Sequence, residues 1–134
     1  MNLFDNPVMV ALSRQLDSSA LTQRVIANNV ANVNTPGFKK SQVSFREQLR
    51  LALDARAPAL ATSNSRHIGG AADISQIAPR VVQERDTIMR YGQNNVDIDQ
   101  EMVNLAANTL LYDTSSLIMS NKFKGLENVI RGGS

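Results

Sequence analysis

Few side chains of this chain have the types and spacing that chemistry requires. Cysteine is absent, and the single histidine, His67, has no partner cluster at metal-ligand spacing. Asp97 and Asp99 could hold a cation, but two acids at the start of a helix are more often caps. We find no glycine-rich phosphate loop, no nucleophile with a base nearby in sequence and no paired carboxylates. We therefore predict no catalytic, cofactor-binding or metal-binding residues, and no enzyme activity.

The densest group of polar side chains is a run of asparagines at the end of a predicted helix. Asparagine is a poor helix-interior residue because its amide competes for nearby backbone groups. The tripeptide Thr35-Pro36-Gly37 follows; Pro36 restricts the residue before it, and Gly37 is free to adopt a positive φ. These features predict a helix stop with amide groups just before it. The asparagines concerned are Asn28, Asn29, Asn32 and Asn34.

The stretch from Ala27 to Lys40 resembles the N-terminal signature of bacterial flagellar rod and hook proteins. A second match runs from Asn94 to Met102, and Ala107-Asn108 and Tyr112 follow it. Thr62–Ile68 is similar to a segment of the proximal rod type. Relatives often carry Asp-Gly where this chain has Tyr91-Gly92-Gln93, which affects only the local turn. The resemblance implies an assembly motif made of Ala27, Asn28, Asn29, Ala31, Asn32, Thr35, Pro36, Gly37 and Phe38.

The composition fits a single helical domain, which we take as residues 1–134. Hydrophobic residues make up 43% of the 134 residues, but only 4% are aromatic and tryptophan is absent. Long helices can pack with Leu, Ile, Val, Ala and Met alone. The net charge is +2, and apart from Lys39-Lys40 the basic residues are scattered, so we expect no nucleic-acid binding. No stretch is as long and apolar as a membrane span, and no cleavable signal peptide is apparent.

Apolar residues at spacings of three and four predict two long helices, over 7–34 and 97–131. Asp5 or Asn6 could cap the first helix at Pro7, and Asp97 the second, with Gln100 completing a near capping box. We predict that the two apolar seams pack as a coiled coil. The seam residues are Met9, Leu12, Leu16, Ile26 and Val30 on the first helix, and Ile98, Met102, Leu105, Tyr112, Met119, Phe123, Leu126 and Ile130 on the second.

Polar residues interrupt both seams near their middles. Ser19 and Gln23 do so in the first helix, and Thr109 and Ser116 in the second. In an antiparallel pair these interruptions come to similar levels, where polar side chains would help to set the register. Equally, each hydroxyl could bond its own backbone carbonyl and have no pairing role.

Residues 35–96 form the stop motif and a loop-rich middle. The pattern over Lys39 to Leu53 fits either a short strand followed by a helical turn or one irregular helix, and Val81 to Tyr91 could supply another short strand. Residues 54–80, with Gly69-Gly70 at their centre, read as a loop that is long enough to require a role. The predicted fold is therefore mainly α: long N- and C-terminal helices in an antiparallel coiled coil, and a loop-rich middle with room for a short β-hairpin.

The resemblance implies a structural function in the proximal rod of the bacterial flagellar basal body. Copies would assemble with other rod proteins into a helical tube around the export channel and transmit torque. The implied partners are further copies, other rod proteins, the adapter between rod and membrane ring, and the flagellar export apparatus. The implied location is the basal body outside the inner membrane, reached without a cleaved signal peptide. The alternatives are another rod subunit of the same family, or a cytosolic helical adaptor or export chaperone.

Overall fold

A computed structural model describes residues 6–54, 77–84 and 94–132 of the chain. Two long helices pack together, and a small antiparallel sheet of two strands lies between them in sequence, which confirms the predicted mainly α fold. The elements, in chain order, are α1 (Pro7–Ala31), β1 (Ser41–Ser44), α2 (Arg46–Asp54), β2 (Arg80–Gln83) and α3 (Ile98–Ile130). His67, Thr62–Ile68, Tyr91-Gly92-Gln93 and most of the predicted 54–80 loop lie outside the described residues.

The stretch from Lys39 to Leu53 adopts the strand-then-helix alternative. β1 pairs with β2 in an antiparallel register that sets Ser41 opposite Gln83 and Ser44 opposite Arg80. Phe45 follows β1 directly and is buried, so it anchors the start of α2 against the rest of the fold. A sheet of two strands is marginal in water on its own. The support for this one comes from α1, against which β1 packs.

The helix α1 begins as predicted and ends three residues early. The Asn6 side chain accepts a hydrogen bond from the Val8 N–H at 2.9 Å, and Pro7 occupies the first helical turn. The predicted end was residue 34, but α1 ends at Ala31. The reason lies in Asn32. Its side-chain amide donates to the Asn28 backbone carbonyl at 2.8 Å, and its backbone carbonyl accepts from Thr35 N–H at 3.0 Å. These bonds replace the helical ladder with a turn.

The helix α3 begins where the sequence predicts. One carboxylate oxygen of Asp97 accepts from the backbone N–H groups of Asp99 and Gln100, at 3.0 and 3.3 Å. The capping box is not completed, because the Gln100 side chain donates to Asn104 instead. With 33 residues, α3 is about 50 Å long at ~1.5 Å per residue.

The two long helices run antiparallel and are offset. Asn29 near the end of α1 bonds Glu101 near the start of α3, and Asn108 further along α3 bonds Ser19 further back on α1. At ~1.5 Å per residue in both helices, Pro7 therefore lies level with roughly residues 120–123 of α3. The last turns of α3 extend beyond the described start of α1. We call these turns, from Lys122 to Ile130, the free end of α3.

The core of the described residues is small and unusually polar. Its buried apolar side chains are Met9, Val25, Ile26, Phe45 and Val96. The buried polar side chains are Ser18, Ser19, Asn29, Asn94, Asn95, Glu101, Asn108 and Ser115. Because a buried polar group is costly unless it is hydrogen-bonded, such a core depends on the matching of donors to acceptors. Among the described residues, no buried side-chain oxygen or nitrogen lacks a partner.

The seam of α3 differs from the predicted one. Its buried residues are Glu101, Asn108 and Ser115, which recur every seven residues and face α1. Of the predicted seam residues, Leu105, Met119 and Leu126 are half-buried, whereas Ile98, Met102, Tyr112, Phe123 and Ile130 are exposed. On α1 the predicted seam fits better: Met9 and Ile26 are buried, and Leu12, Leu16 and Val30 are half-buried. Coiled-coil packing of the full apolar seams stays a prediction.

The polar positions of the predicted seams do not meet each other. Ser19 is buried, but Gln23, Thr109 and Ser116 are exposed. The Thr109 hydroxyl donates to the Leu105 carbonyl one turn back at 2.9 Å, as expected for a residue without a pairing role. Ser19 is instead matched with Asn108, a residue that the hydrophobic pattern passes over.

Candidate functional site

Three buried asparagines join the end of α1, the sheet and the start of α3. They are Asn29, Asn94 and Asn95, with exposed fractions of 1%, 4% and 0%. We call them the asparagine cluster. Each bonds chain segments that are distant in sequence, so the geometry of this end of the molecule depends on their amides.

Asn29 holds β1 against α1 and α3. Its Oδ1 accepts from Ser41 N–H at 2.9 Å, and its Nδ2 donates to the Ser41 carbonyl at 2.8 Å. The amide thus pairs with both backbone groups of Ser41, as a neighbouring strand would. The second hydrogen of Nδ2 goes to Oε2 of Glu101 at 3.0 Å. One side chain therefore connects three elements and satisfies a buried carboxylate oxygen.

Asn94 holds the turn that follows α1. Its Nδ2 lies 3.0, 3.1 and 2.8 Å from the carbonyl oxygens of Asn32, Val33 and Thr35. Its Oδ1 accepts from Val96 N–H at 2.8 Å, which orients the amide. Carbonyl groups at a helix end have no intrahelical partner and need one from elsewhere. Asn94 supplies it, from a position 62 residues further along the chain than Asn32.

Asn95 extends the two-stranded sheet at the end nearest the helices. Its Oδ1 accepts from Lys40 N–H at 2.6 Å, and its Nδ2 donates to the Glu84 carbonyl at 3.2 Å. Glu84 N–H donates to the Lys40 carbonyl at 3.0 Å, and the side chains of the same two residues form an ion pair at 3.3 Å. The Asn95 amide therefore takes the place of a backbone bond between the strands and fixes the start of α3 to them.

The turn between α1 and β1 requires a glycine. Gly37 has a φ of +71°, a conformation that L residues with a side chain rarely adopt. A Cβ added at Gly37 would meet no atom within 4 Å, so the requirement comes from the backbone and not from lack of space. This agrees with the role that the sequence assigned to Thr35-Pro36-Gly37 as a helix stop.

The structure divides the predicted assembly motif into inner and outer residues. Asn29 is its one buried member, and Asn32 and Phe38 are half-buried. The remaining members are exposed: Ala27, Asn28, Ala31, Thr35, Pro36 and Gly37. The inner residues hold the turn in place, whereas the outer residues form a surface that the described part of the chain leaves uncovered.

A cleft of about 410 Å³ opens beside the asparagine cluster, between α1, α3 and β1. Hydroxyl and amide side chains of both helices line it, and so do Lys40, Arg46, Glu84 and Glu101. Lys40 and Glu84 are paired with each other. Glu101 is only 3% exposed, and within the described ranges no cationic group lies within 4 Å of its carboxylate. We call this space the glutamate cleft.

The described polar side chains of the site are chiefly amides and hydroxyls, which bind through hydrogen bonds. In the part of the chain that the structure describes, no three His, Cys, Asp or Glu side chains are grouped to hold a metal ion. Across those same segments, no helix is long and apolar enough to cross a membrane. Away from the site, a hydrogen bond from Arg50 lowers the pKa of the exposed Glu47 carboxyl.

Sequence reasoning missed four residues of this site. Asn94, Asn95, Glu101 and Asn108 all fall in or near the matched C-terminal stretch, but none was placed among the predicted site residues. The available signal was the pair Asn94-Asn95, which only Val96 separates from the Asp97 cap and which lies where no helix or strand requires an amide. Glu101 and Asn108 are seven residues apart, a spacing that places both on one face of α3.

Comparison with known proteins gives a consistent result. A family model described as flagella basal body rod protein matches residues 10–39, which cover most of α1 and the turn. The flagellar basal body rod protein FlgB of Borrelia hermsii is 38% identical over 98% of this chain and 100% of its own length. FlgB of Bacillus subtilis is 35% identical over 99% of both chains, and FlgB of Escherichia coli is 32% identical over 89% of both.

Proposed function

The chain belongs to the FlgB family of flagellar basal body rod proteins, and we propose that it is a structural subunit of the proximal rod. In this proposal, copies assemble with each other and with other rod proteins into a helical tube around the export channel, and the tube transmits torque. The observation that carries it is the identity of 38% to one FlgB over the whole of that protein. An alternative identity as a different rod subunit has no comparable support.

The surface of α3 supports a role in assembly. Its most exposed large apolar residues include Val103, Leu110 and Leu117, which we call the outer stripe. They are seven residues apart and, at about 100° per residue, lie roughly opposite the line of Glu101, Asn108 and Ser115 that faces α1. A subunit that functioned alone would gain little from such a stripe. Contiguous exposed apolar surface is typical of protein interfaces.

The proposed partners follow from membership of the family. They are further copies, other rod proteins, the adapter between the rod and the membrane ring, and the export apparatus. We propose that the subunit reaches the basal body through that apparatus without a cleaved signal peptide, and that it resides outside the inner membrane. In a cell with an outer membrane this location is the periplasm.

Deletion of the gene provides the direct test. We expect the deletion strain to lack rods, hooks and filaments, and expect the wild-type gene supplied in trans to restore them. Subtomogram averages of motors should lose density at the base of the rod, next to the membrane ring. Intact rods in the deletion strain would contradict the proposal. A different result would favour an export chaperone: in the deletion strain a cytosolic partner protein would become unstable, and supplying more of that partner would restore the rod density.

The purified subunit distinguishes the two classes independently. Because the helices are joined by a small polar core and carry exposed apolar surface, we expect their stability to depend on neighbours. Dilute protein should show less helix by circular dichroism than the roughly 45% that two fully formed helices would contribute, and helicity should rise with concentration. Full helicity at low concentration, protease-resistant ends and a sharp melt would favour a folded adaptor.

A further inference from the structure

The glutamate cleft contains a carboxylate whose bonding is incomplete. Glu101 is 3% exposed, and its Oε2 accepts from Asn29 Nδ2 at 3.0 Å. Its Oε1 has no hydrogen-bond partner within the described part of the chain. Since no fully buried side-chain oxygen of the described residues lacks a partner, Oε1 opens into the cleft. The N-terminus of α3 compensates part of the charge, but a buried carboxylate is best satisfied by a cation.

The cleft does not supply that cation from its own walls. Lys40 is already paired with Glu84 at 3.3 Å. Arg46 lines the cleft but is exposed, and it makes no ion pair with Glu101 in the described segments. At about 410 Å³, the cleft has room for one long side chain from outside. Hydroxyl and amide groups of Ser18 and Asn104 line the same space and could accept further hydrogen bonds from an ammonium group.

The complementary charge lies at the other end of the helix pair. Lys122 and Lys124 are exposed on the free end of α3, and neither has an ion pair among the described residues. Because both side chains are exposed, they are accessible to another molecule. Arg131, the next basic residue, is already paired with Glu127 at 2.7 Å.

We propose that the glutamate cleft receives Lys122 or Lys124 from the free end of α3 of a second copy of this chain. The proposal rests on the proposed self-assembly and names one of its contacts. Donor and acceptor lie on different ends of one subunit, about 32 Å apart along α3 at ~1.5 Å per residue. Such a contact is heterologous, and each added copy presents a new cleft and a new free end. It builds an open chain of subunits, as the proposed helical tube requires, when the rotation between copies does not close a ring.

Two charge-neutralising variants test the contact from both sides. Glu101→Gln keeps an oxygen that can accept from Asn29 and removes only the charge. The double variant Lys122→Gln/Lys124→Gln removes both candidate ammonium groups from an exposed surface. The two single variants then identify which lysine is used. We expect sedimentation velocity to show that the substitution at Glu101 and the substitutions at the two lysines each weaken self-association of the full chain by about tenfold or more. Raising the ionic strength should weaken the parent and have little effect on the variants.

Mixing the two variants gives the sharpest result. Glu101→Gln retains its free end, and the double lysine variant retains its cleft. At a concentration where each variant alone is monomeric, an equal mixture should therefore form dimers and no longer chains. Arg24→Gln and Asp113→Asn remove exposed charges elsewhere on α1 and α3 and should associate like the parent. Arg46→Gln should also associate like the parent, because Arg46 is not the cation that Glu101 receives.

Each other outcome overturns the inference. Variants that associate as tightly as the parent, a mixture without dimers, or a parent that is monomeric at about 1 mM would all do so. The same holds if Arg46→Gln alone reproduces Glu101→Gln. Circular dichroism and urea unfolding of Glu101→Gln must match those of the parent. If they do not, Glu101→Asp provides a second test. This variant keeps the charge and should associate like the parent. None of these results affects the proposed function, which the deletion strain tests.

Discussion

The two ends of the helix pair are stabilised in different ways. At the end where α1 stops and α3 starts, buried amides bond backbone groups of the turn and of both strands. At the other end, α3 carries apolar side chains that the described part of the subunit leaves exposed, including Phe123, Val129 and Ile130. At the first end, the buried polar groups find their hydrogen-bond partners within one molecule. The second end presents apolar surface that the described residues do not bury.

This difference separates the residues that shape the subunit from the residues that, under the proposed function, would join subunits. A hydrogen bond between an amide and a backbone group depends strongly on distance and angle, so the asparagine cluster fixes one arrangement. Apolar contact is non-directional and grows with the area removed from water. We therefore expect substitutions at the asparagine end to change folding stability, and substitutions on the exposed faces to change assembly with little effect on the isolated subunit.

Replacement of Asn29 should have the largest effect on stability. Asn29→Ala leaves both backbone groups of Ser41 and the buried Oε2 of Glu101 without their partner, and we expect a loss of about 3 kcal/mol in the free energy of unfolding. Urea unfolding followed by circular dichroism measures this loss. Asn28→Ala, one position earlier on the exposed side of the helix, is the matched control and should change stability by less than about 0.5 kcal/mol. Equal effects at the two positions would remove the distinction between them.

Replacement of Gly37 should have an intermediate effect on stability and a large one on assembly. Gly37→Val forces a β-branched residue to a φ of +71°, at a cost of about 1–3 kcal/mol. We expect a soluble, exported protein that does not support swimming, because the turn would leave its native path. Gly125→Ala in α3 is the control and should raise stability by up to about 1 kcal/mol, since a helical glycine gains from a methyl group. A normally motile Gly37→Val strain would show that assembly does not need this turn.

A charge on the exposed side of α1 should leave the free subunit nearly unchanged. Ala31 is exposed at the end of α1, one turn after Ala27, and both are small enough for a neighbouring chain to approach closely. Ala31→Arg should block incorporation into rods, because burial of an unpaired charge costs several kcal/mol, while the melting curve of the monomer stays the same. Ala31→Ser is the matched control and should assemble normally. Filaments at the normal frequency in Ala31→Arg cells would mean that this side stays exposed in the rod.

The smallest effect on the free subunit should come from the outer stripe. Leu110 is 70% exposed, so Leu110→Ser removes almost no contact from the described fold, and we expect a change below about 0.5 kcal/mol. Swimming should nonetheless decrease, since the stripe would lose an apolar side chain at its centre. Motility agar and unfolding curves of the same variant separate the two effects. A variant with lower stability and normal swimming would reverse the expected assignment of this residue.

The sequence predicts the helices better than it predicts the contact between them. The cap at Asp97, the proline at the start of α1 and the glycine of the turn are local features, and local chemistry is enough to identify them. The buried residues of α3 that face α1 are polar, and an apolar pattern does not mark them. Burial followed instead from long-range hydrogen bonds, such as Asn108 to the Ser19 carbonyl 89 residues away, which no periodicity encodes.

The asparagine cluster also bears on the kinetics of folding. Asn29 and Glu101 are 72 residues apart in sequence, and Asn94 and Asn32 are 62 apart. Individual helices form in about a microsecond, but contacts between distant segments form later because the intervening chain must first close a loop. The cluster cannot form until both halves of the chain are free to meet. Under the export route proposed above, the contacts of the cluster would therefore form only after both halves of the chain have left the export apparatus.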